Sequence, residues 1–335
     1  MFSNKNILVT GGTGSFGNAY VRKLLKKFKP KKVVVFSRGE DRQRKMEESL
    51  ANYKNLRFFI GDVRDKERLK VAFSDMDYVV HAAALKQVPA AEYNPLECIK
   101  TNVNGAENVI SAALETKVSK VLALSTDKAV NPINLYGASK LASDKLFISA
   151  NSYVGRSNKT FSVVRYGNVS GSTGSVIPVF KKLLENKTNY FPITDEKMTR
   201  FWITLDQAVE FVNDSFKRMR GGEIFVPKIP SFRIPDLARA MGNKKMKIVG
   251  IRPGEKIHEV LTAKDESHLV VQFKDYFIIV PTTSSKKKMN IYKSSRTGEK
   301  GKTVNKDFYY SSDINKNFLS INELKYFLKN YKYEE

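Results

Sequence analysis

The chain has 335 residues, 41% of them hydrophobic, enough for a substantial core in one large or two interlocked domains. Its 58 basic residues against 34 acidic give a net charge of +24, but the lysines are dispersed and carry no zinc-finger, RRM-type or basic-zipper pattern; we expect a solvated surface that helps attract an anionic substrate, and no nucleic-acid partner. A lone cysteine, Cys98, excludes an internal disulfide, His81, His258 and His268 show no metal-ligand spacing, and the absence of a membrane-length apolar run or a signal-peptide pattern predicts a cytosolic protein with no metal and no membrane partner.

The N-terminal half alternates strand and helix. Asn6 to Thr10 reads as a short buried strand, and Thr10-Gly-Gly-Thr-Gly-Ser-Phe-Gly follows it directly. An amphipathic helix runs on from Ser15 towards Phe28. Glycines in that setting permit a tight turn, close approach of a pyrophosphate and close helix–strand contact, while the helix N-terminus supplies amide donors. Gly11, Thr13, Gly14, Ser15, Phe16 and Gly17 are therefore cofactor-binding candidates.

The second strand, Lys32 to Phe36, ends in Ser37-Arg38, with Arg42 nearby. An NAD site usually has an acid there; guanidinium suits the 2′-phosphate of NADP instead. Glu40 and Asp41 stand close enough to keep NAD open. The third strand, Leu56 to Ile60, leads into Asp62 and Val63, placed for the adenine. The fourth, Tyr78 to Val80, leads into His81-Ala82-Ala83-Ala84-Leu85-Lys86. Small Ala82 and Ala84 let a cofactor lie close, Lys86 reaches towards phosphate or sugar, and His81 reads as structural. One long helix is expected from Pro95 to about Thr116, with Thr101 on its first turns.

Val121 to Leu124 forms the next buried strand, and Ser125-Thr-Asp-Lys-Ala-Val-Asn-Pro-Ile-Asn-Leu-Tyr-Gly-Ala-Ser-Lys140 follows it. Pro132 blocks helix across the connection. Helix resumes near Tyr136, so Tyr136 and Lys140 share a face and the ammonium is expected to lower the phenol's pKa. The βαβαβαβαβ order requires a doubly wound parallel α/β sheet, Rossmann-like, with ligands at the strands' C-terminal ends.

A sixth strand, Phe161 to Arg165, leads into Asn168 and Val169. The pattern then changes, with a short helix at Pro178 to Leu184 and an apolar loop or strand at 198–203. Asp206 is expected to cap a helix ending at Arg218, Glu223 to Val226 to return to the sheet, and a helix to begin near Glu255. Lysine-rich 286–306 reads as a surface excursion or mobile loop, and Ser320-Ile-Asn-Glu323 as a capping box. We expect a dinucleotide-binding part over 1–170 and a smaller, interleaved substrate-binding part over 171–335, with 204–227 rejoining the first.

The glycine turn, with Thr126, Tyr136 and Lys140, resembles the extended short-chain dehydrogenase/reductases. Arg252-Pro-Gly-Glu-Lys256 looks like the nucleotide-diphosphate motif of their nucleotide-sugar members. Ser-Thr-Asp-Lys-Ala at 125–129, His-Ala-Ala-Ala-Leu-Lys at 81–86 and Met-Thr-Arg-Phe-Trp at 198–202 resemble the inverting UDP-N-acetylglucosamine 4,6-dehydratases that open pseudaminic acid synthesis. Retaining dehydratases have Asp-Glu in place of Asp127-Lys128, and simple 4-epimerases lack that pair.

The resemblance implies NADP as cofactor, UDP-N-acetylglucosamine as partner and a homo-oligomer, dimer or hexamer. Tyr136, assisted by Lys140, takes the 4-hydroxyl proton while hydride leaves carbon 4. Lys128, with its pKa depressed, removes the carbon-5 proton; neutral Asp127 protonates the departing 6-hydroxyl; Thr126 polarises the 4-oxygen. Lys86, Asn168, Val169, Thr199, Arg200, Arg252 and Glu255 are the implied substrate residues. A 4-epimerase remains open, as does an idle dinucleotide-binding fold, although the latter has no need of the Thr-Asp-Lys, Tyr and Lys set.

Overall fold

The computed structural model describes residues 1–170, 175–242, 244–282 and 286–330. Its first half is strand–helix alternation: β1 (Asn6–Thr10), α1 (Ser15–Lys27), β2 (Lys32–Ser37), α2 (Glu40–Ser49), β3 (Leu56–Ile60), α3 (Lys66–Phe73) and β4 (Tyr78–His81). Then come α4 (Val88–Tyr93), α5 (Pro95–Ile99), α6 (Gly105–Glu115), β5 (Lys120–Thr126), α7 (Leu135–Ser149) and β6 (Thr160–Tyr166). The remainder comprises α8 (Val176–Glu185), β7 (Tyr190–Ile193), β8 (Thr199–Phe201), α9 (Leu205–Arg218), β9 (Ile224–Pro227), β10 (Ser231–Arg233), α10 (Ile234–Met241) and β11 (Lys245–Ile248). It closes with β12 (Val260–Thr262), β13 (Val270–Gln272), β14 (Tyr276–Ile279), α11 (Lys286–Tyr292), β15 (Lys302–Thr303), β16 (Tyr310–Ser311) and α12 (Ile321–Asn330).

Ten strands form one sheet in the order β15-β13-β14-β9-β6-β5-β4-β1-β2-β3. From β3 to β9 every pairing is parallel; β14, β13 and β15 extend the sheet antiparallel. Helices cover both faces, so β1 is buried at every position and its Ile-Leu-Val run has no polar alternation. Edge strand β3, in contrast, is buried only at Leu56 and exposes Arg57 and Ile60. The main core runs from Phe2 through the central strands to Tyr310. A second core gathers Phe180, Phe191, Trp202 and Phe232 around three two-stranded sheets, β10-β8, β11-β7 and β12-β16, of which the first two contribute residues to it.

Four expectations change. The helix expected from Pro95 is broken by a wide π turn at Lys100–Asn104, and α4 precedes it. The cap of α9 is Thr204, not Asp206: Thr204 and Gln207 form a reciprocal capping box, and Asp206 lies in the first turn, where an acid suits the helix dipole. No helix starts at Glu255, because Gly254 turns at φ +75° and the chain then extends into β12. Residues 286–306 hold a helix and a strand pinned by Glu299, whose carboxylate accepts from Arg218 at 2.9 Å through two nitrogens and from Tyr276 at 3.1 Å.

Candidate active site

Parallel strands carry their loops to one edge, and the predicted glycine turn emerges there from β1. Gly11 adopts φ +65°, and a Cβ on it would lie 2.8 Å from the Ala83 nitrogen; one on Gly17 would collide with the Gly11 carbonyl. Gly14 caps α1 without any side-chain hydrogen bond, so the helix's first amides keep to the turn. Bare backbone facing a helix N-terminus fits the pyrophosphate of a dinucleotide. Thr10 binds the ring of His81 at 2.8 Å, and burial drives that imidazole down to about 3; it is a neutral structural residue, as read from the sequence.

At the end of β2, Ser37 is buried and its hydroxyl accepts from Gln43 at 3.0 Å, while Arg38 and Arg42 point outward. Arg38 lies 3.6 Å from Asp62 at the end of β3, and Asp62 is held more tightly by Arg64, at 2.7 Å. Burial opposes ionisation of Asp62, but Arg64, with Arg38 adding, keeps its carboxyl below the usual range. Val63 packs against Gly105 of α6, Ala82 and Ala84 are half-buried, and Lys86 is exposed. Thr101 is buried, and its hydroxyl has no protein partner.

The opposite side of the site is organised by α7. Asn134 caps it, accepting from the Gly137 amide at 2.7 Å, and reaches the Gly254 carbonyl at 2.7 Å, which ties the 252–256 motif to this helix. Tyr136 and Lys140 share the buried face, with Asp144 one turn further and Ser125 donating to it at 2.7 Å. Burial pushes the Tyr136 phenol up to about 12, against the pull of Lys128 and a hydrogen bond with Thr126. The lowered phenol expected from the spacing is thus reversed by desolvation. Burial also pulls Lys140 below its ordinary value, with Asp144 opposing.

Asp127 and Lys128 begin a single 3-10 turn directly after β5. Asp127 is 0% exposed; one oxygen accepts from Thr126 at 2.8 Å and Lys128 at 3.2 Å, and the other has no partner. Lys128 also donates to Glu259 at 3.1 Å and lies 3.5 Å from the Asn168 amide oxygen. Burial lowers the lysine, but the two carboxylates outweigh it and hold Lys128 above its ordinary value. The depressed lysine expected from sequence is therefore not a property of the protein alone. Burial, reinforced by Glu259, pushes Asp127 up.

Thr199 and Arg200 on β8 are buried beside residues 256–259. Thr199 binds His258 at 2.8 Å and Ser312 at 2.7 Å; Arg200 donates to the carbonyls of Thr199, Ile257 and Lys256 and sits 3.8 Å from Glu259. Arg252 is exposed, Glu255 folds back on its amide, and Val169 bridges Ile203. The fold thus gathers Thr126, Asp127, Lys128, Tyr136, Lys140, Asn168 and Arg200, and leaves Arg38 and Arg42 at the far strand ends.

Sequence reasoning missed Glu259, Asn102, Asn134 and Asp144. Asn102 clasps both backbone groups of Leu85, at 2.8 and 2.9 Å, and reaches Ser139 at 2.9 Å. Asn134 carries a cap signal, and Asp144 repeats the four-residue spacing of Tyr136 and Lys140. Glu259 gives no such local signal.

A doubly wound parallel sheet with a glycine turn after β1 and a buried Tyr136/Lys140 pair beyond β5 defines the short-chain dehydrogenase/reductase fold. Within it the chain belongs to the polysaccharide biosynthesis protein family, whose pattern matches residues 7–281. It is 55% identical over 325 residues to a Campylobacter jejuni protein named UDP-N-acetylglucosamine 4,6-dehydratase (inverting), covering 97% of each chain. The X-ray structure of Pen from Bacillus thuringiensis superposes with TM-score 0.87 at 38% identity, covering 98% of both chains. A Rickettsia bellii protein named UDP-glucose 4-epimerase is 41% identical, covering 99% of this chain and 98% of its own.

Proposed function

We propose that this protein catalyses the inverting 4,6-dehydration of UDP-N-acetylglucosamine, yielding UDP-2-acetamido-2,6-dideoxy-β-L-arabino-hex-4-ulose, the first step of pseudaminic acid synthesis for surface glycans or flagellin glycosylation. The observation that carries the reading is the buried Asp127–Lys128 contact joined through Thr126 to Tyr136. The 55% identity to an inverting dehydratase supports it.

The glycine turn and Thr101 would hold a dinucleotide, with Arg38 and Arg42 facing the 2′-phosphate of NADP. Such a cofactor, when bound oxidised, supplies hydride exchange and a positive charge. Added positive charge lowers both Tyr136 and Lys128, the two groups that the protein alone holds high. Tyr136 accepts the 4-hydroxyl proton, and Lys140 stabilises the phenolate from one turn away. Lys128 accepts the carbon-5 proton, which becomes acidic once carbon 4 is a ketone. Asp127, neutral in its buried position, protonates the departing 6-oxygen. Asn168 lies on the same lysine, Arg252 and Glu255 are assigned to the diphosphate, and Thr199 and Arg200 shape the wall behind Lys128. We assign the working enzyme as a cytosolic homo-oligomer; no helix among the described residues is long and apolar enough to cross a membrane.

The test is NMR of purified protein with UDP-N-acetylglucosamine and no added cofactor. A UDP-linked 4-keto-6-deoxy sugar with carbon 5 inverted, free or hydrated, is expected. Recovery of UDP-N-acetylgalactosamine alone would overturn the assignment in favour of a 4-epimerase, the reading that the Rickettsia relative keeps in play.

A further inference from the structure

Glu259 is 2% exposed, just before β12, and lies against the proposed acid–base pair without belonging to any motif read from the sequence. Its Oε1 accepts from the Lys128 ammonium at 3.1 Å, nearly the same distance as Asp127 Oδ1 at 3.2 Å on the same nitrogen. Its other oxygen, Oε2, is buried with no hydrogen-bond partner, as is Oδ2 of Asp127. Ser312 fixes the Glu259 backbone at 2.9 Å, and Arg200 approaches Oε1 at 3.8 Å from β8. Lys256, from the preceding loop, adds a third cation, and Tyr136 faces the lysine from α7.

Two carboxylates around one ammonium are one negative charge more than the lysine requires. Buried like charges this close do not both ionise readily, so one of the two tends to keep its proton. Which one depends on the cations each faces. Glu259 faces Lys128, Arg200 and Lys256, whereas Asp127 contacts Lys128, feels Lys256 more weakly than Glu259 does, and accepts a neutral hydroxyl from Thr126. We propose that Glu259 is a positioning residue, the resident counterion of Lys128, whose charge lets Asp127 rest in its protonated form. The inference rests on the dehydratase reading only for its purpose: a protonated Asp127 is what donation to a departing 6-oxygen needs. Burial works against the charge of Glu259, yet its three cations hold it below the usual range, and Asp127 shifts the opposite way, in keeping with this split.

The direct test needs no turnover. Infrared difference spectra of parent protein minus Asp127→Asn, at neutral pH and without substrate, should contain the carbonyl stretch of a protonated carboxylic acid. The same subtraction made in a Glu259→Gln background should lose it, because Asp127 must then ionise to balance Lys128; a Glu259→Asp background should keep it. With substrate, the alkaline limb of the kcat profile should move to lower pH by about one unit or more in Glu259→Gln and return in Glu259→Asp. A merely structural role would lower kcat without moving that limb, and this result would overturn the proposal. So would absence of the protonated-acid band in the parent, which decides the matter even if Glu259→Gln does not fold. Failure of the dehydratase reading looks different: the parent makes no 4-keto-6-deoxy sugar while the band is unaffected.

Discussion

Two clusters of charge stand at the C-terminal ends of the same sheet, and they differ in burial. Beyond β5, two carboxylates, Asp127 and Glu259, share one lysine, and side-chain exposure is 1%, 2% and 25%. Beyond β2 and β3, two arginines, Arg38 and Arg64, share one carboxylate, Asp62, with exposures of 55%, 36% and 22%. In the inner cluster two acids meet on one ammonium in a dry place, with Arg200 3.8 Å from Glu259, an arrangement that favours a proton on the less well paired acid. The outer one, where Arg64 pairs with Glu97 as well as Asp62, stands in a wet place, where such pairs rearrange at little cost. Burial thus separates a cluster suited to holding a proton from one suited to rearranging around an incoming ion.

If burial sets the scale, effects should fall from the inside outward. The largest should come from the inner cluster: Lys128→Met is expected to reduce turnover by about 10²–10⁴ while bound nicotinamide still becomes partly reduced on adding substrate, read from its near-ultraviolet absorbance. Tyr136→Phe should suppress that reduction as well. Exchange of the carbon-5 proton with solvent deuterium at the parent rate in Lys128→Met would show that another group is the base. At the rim, Arg38→Asp should weaken NADP binding by roughly ten- to a hundredfold and NAD binding far less, measured by calorimetry. Equal losses would remove Arg38 from the 2′-phosphate site.

Farther from the strand ends, Glu299 provides a part-exposed pair for comparison. Burial alone would raise its carboxyl, but Arg218, Thr297 and Ser295 bring it from 4.5 down to about 2. A depressed carboxyl stabilises the fold above its unfolded pKa, and that contribution disappears as pH falls through about 2. Solvent screening reduces it, so Glu299→Gln should cost about 1–2 kcal/mol in urea unfolding at neutral pH. The difference should close in acid; a constant difference would mean lost packing instead. The smallest effect belongs to the exposed box of α12, where Ser320 accepts from the Glu323 amide at 3.3 Å and returns its own amide to that side chain at 2.8 Å. Ser320→Ala should lower stability by about 0.5–1 kcal/mol and leave turnover alone.

What was legible in the sequence was local. Apolar runs, glycine spacing and the four-residue step from Tyr136 to Lys140 each specify their structure within one turn or strand, and the parallel, doubly wound sheet followed from the alternation of strands and helices. The Thr204–Gln207 box was equally local, but Asp206 offered a competing cap and only geometry separates them. Nothing in the sequence marks the π turn at Lys100–Asn104. The direction of the Tyr136 and Lys128 shifts was illegible for a different reason. Spacing shows which charges are neighbours, whereas desolvation and a carboxylate 131 residues away decide the sign.

Cys98, the sole cysteine, is fully buried on α5, its sulfur 3.5 Å from both the Ser139 hydroxyl and the Asn102 amide, in the small cluster that also contains Tyr136. A thiol reagent can reach it only when α5 parts from α7. Its labelling rate is therefore a clock for breathing of the active-site floor, read against a background free of other thiols. Ligands that clamp α7 should slow that clock, so occupancy could be followed through a single sulfur without adding a reporter.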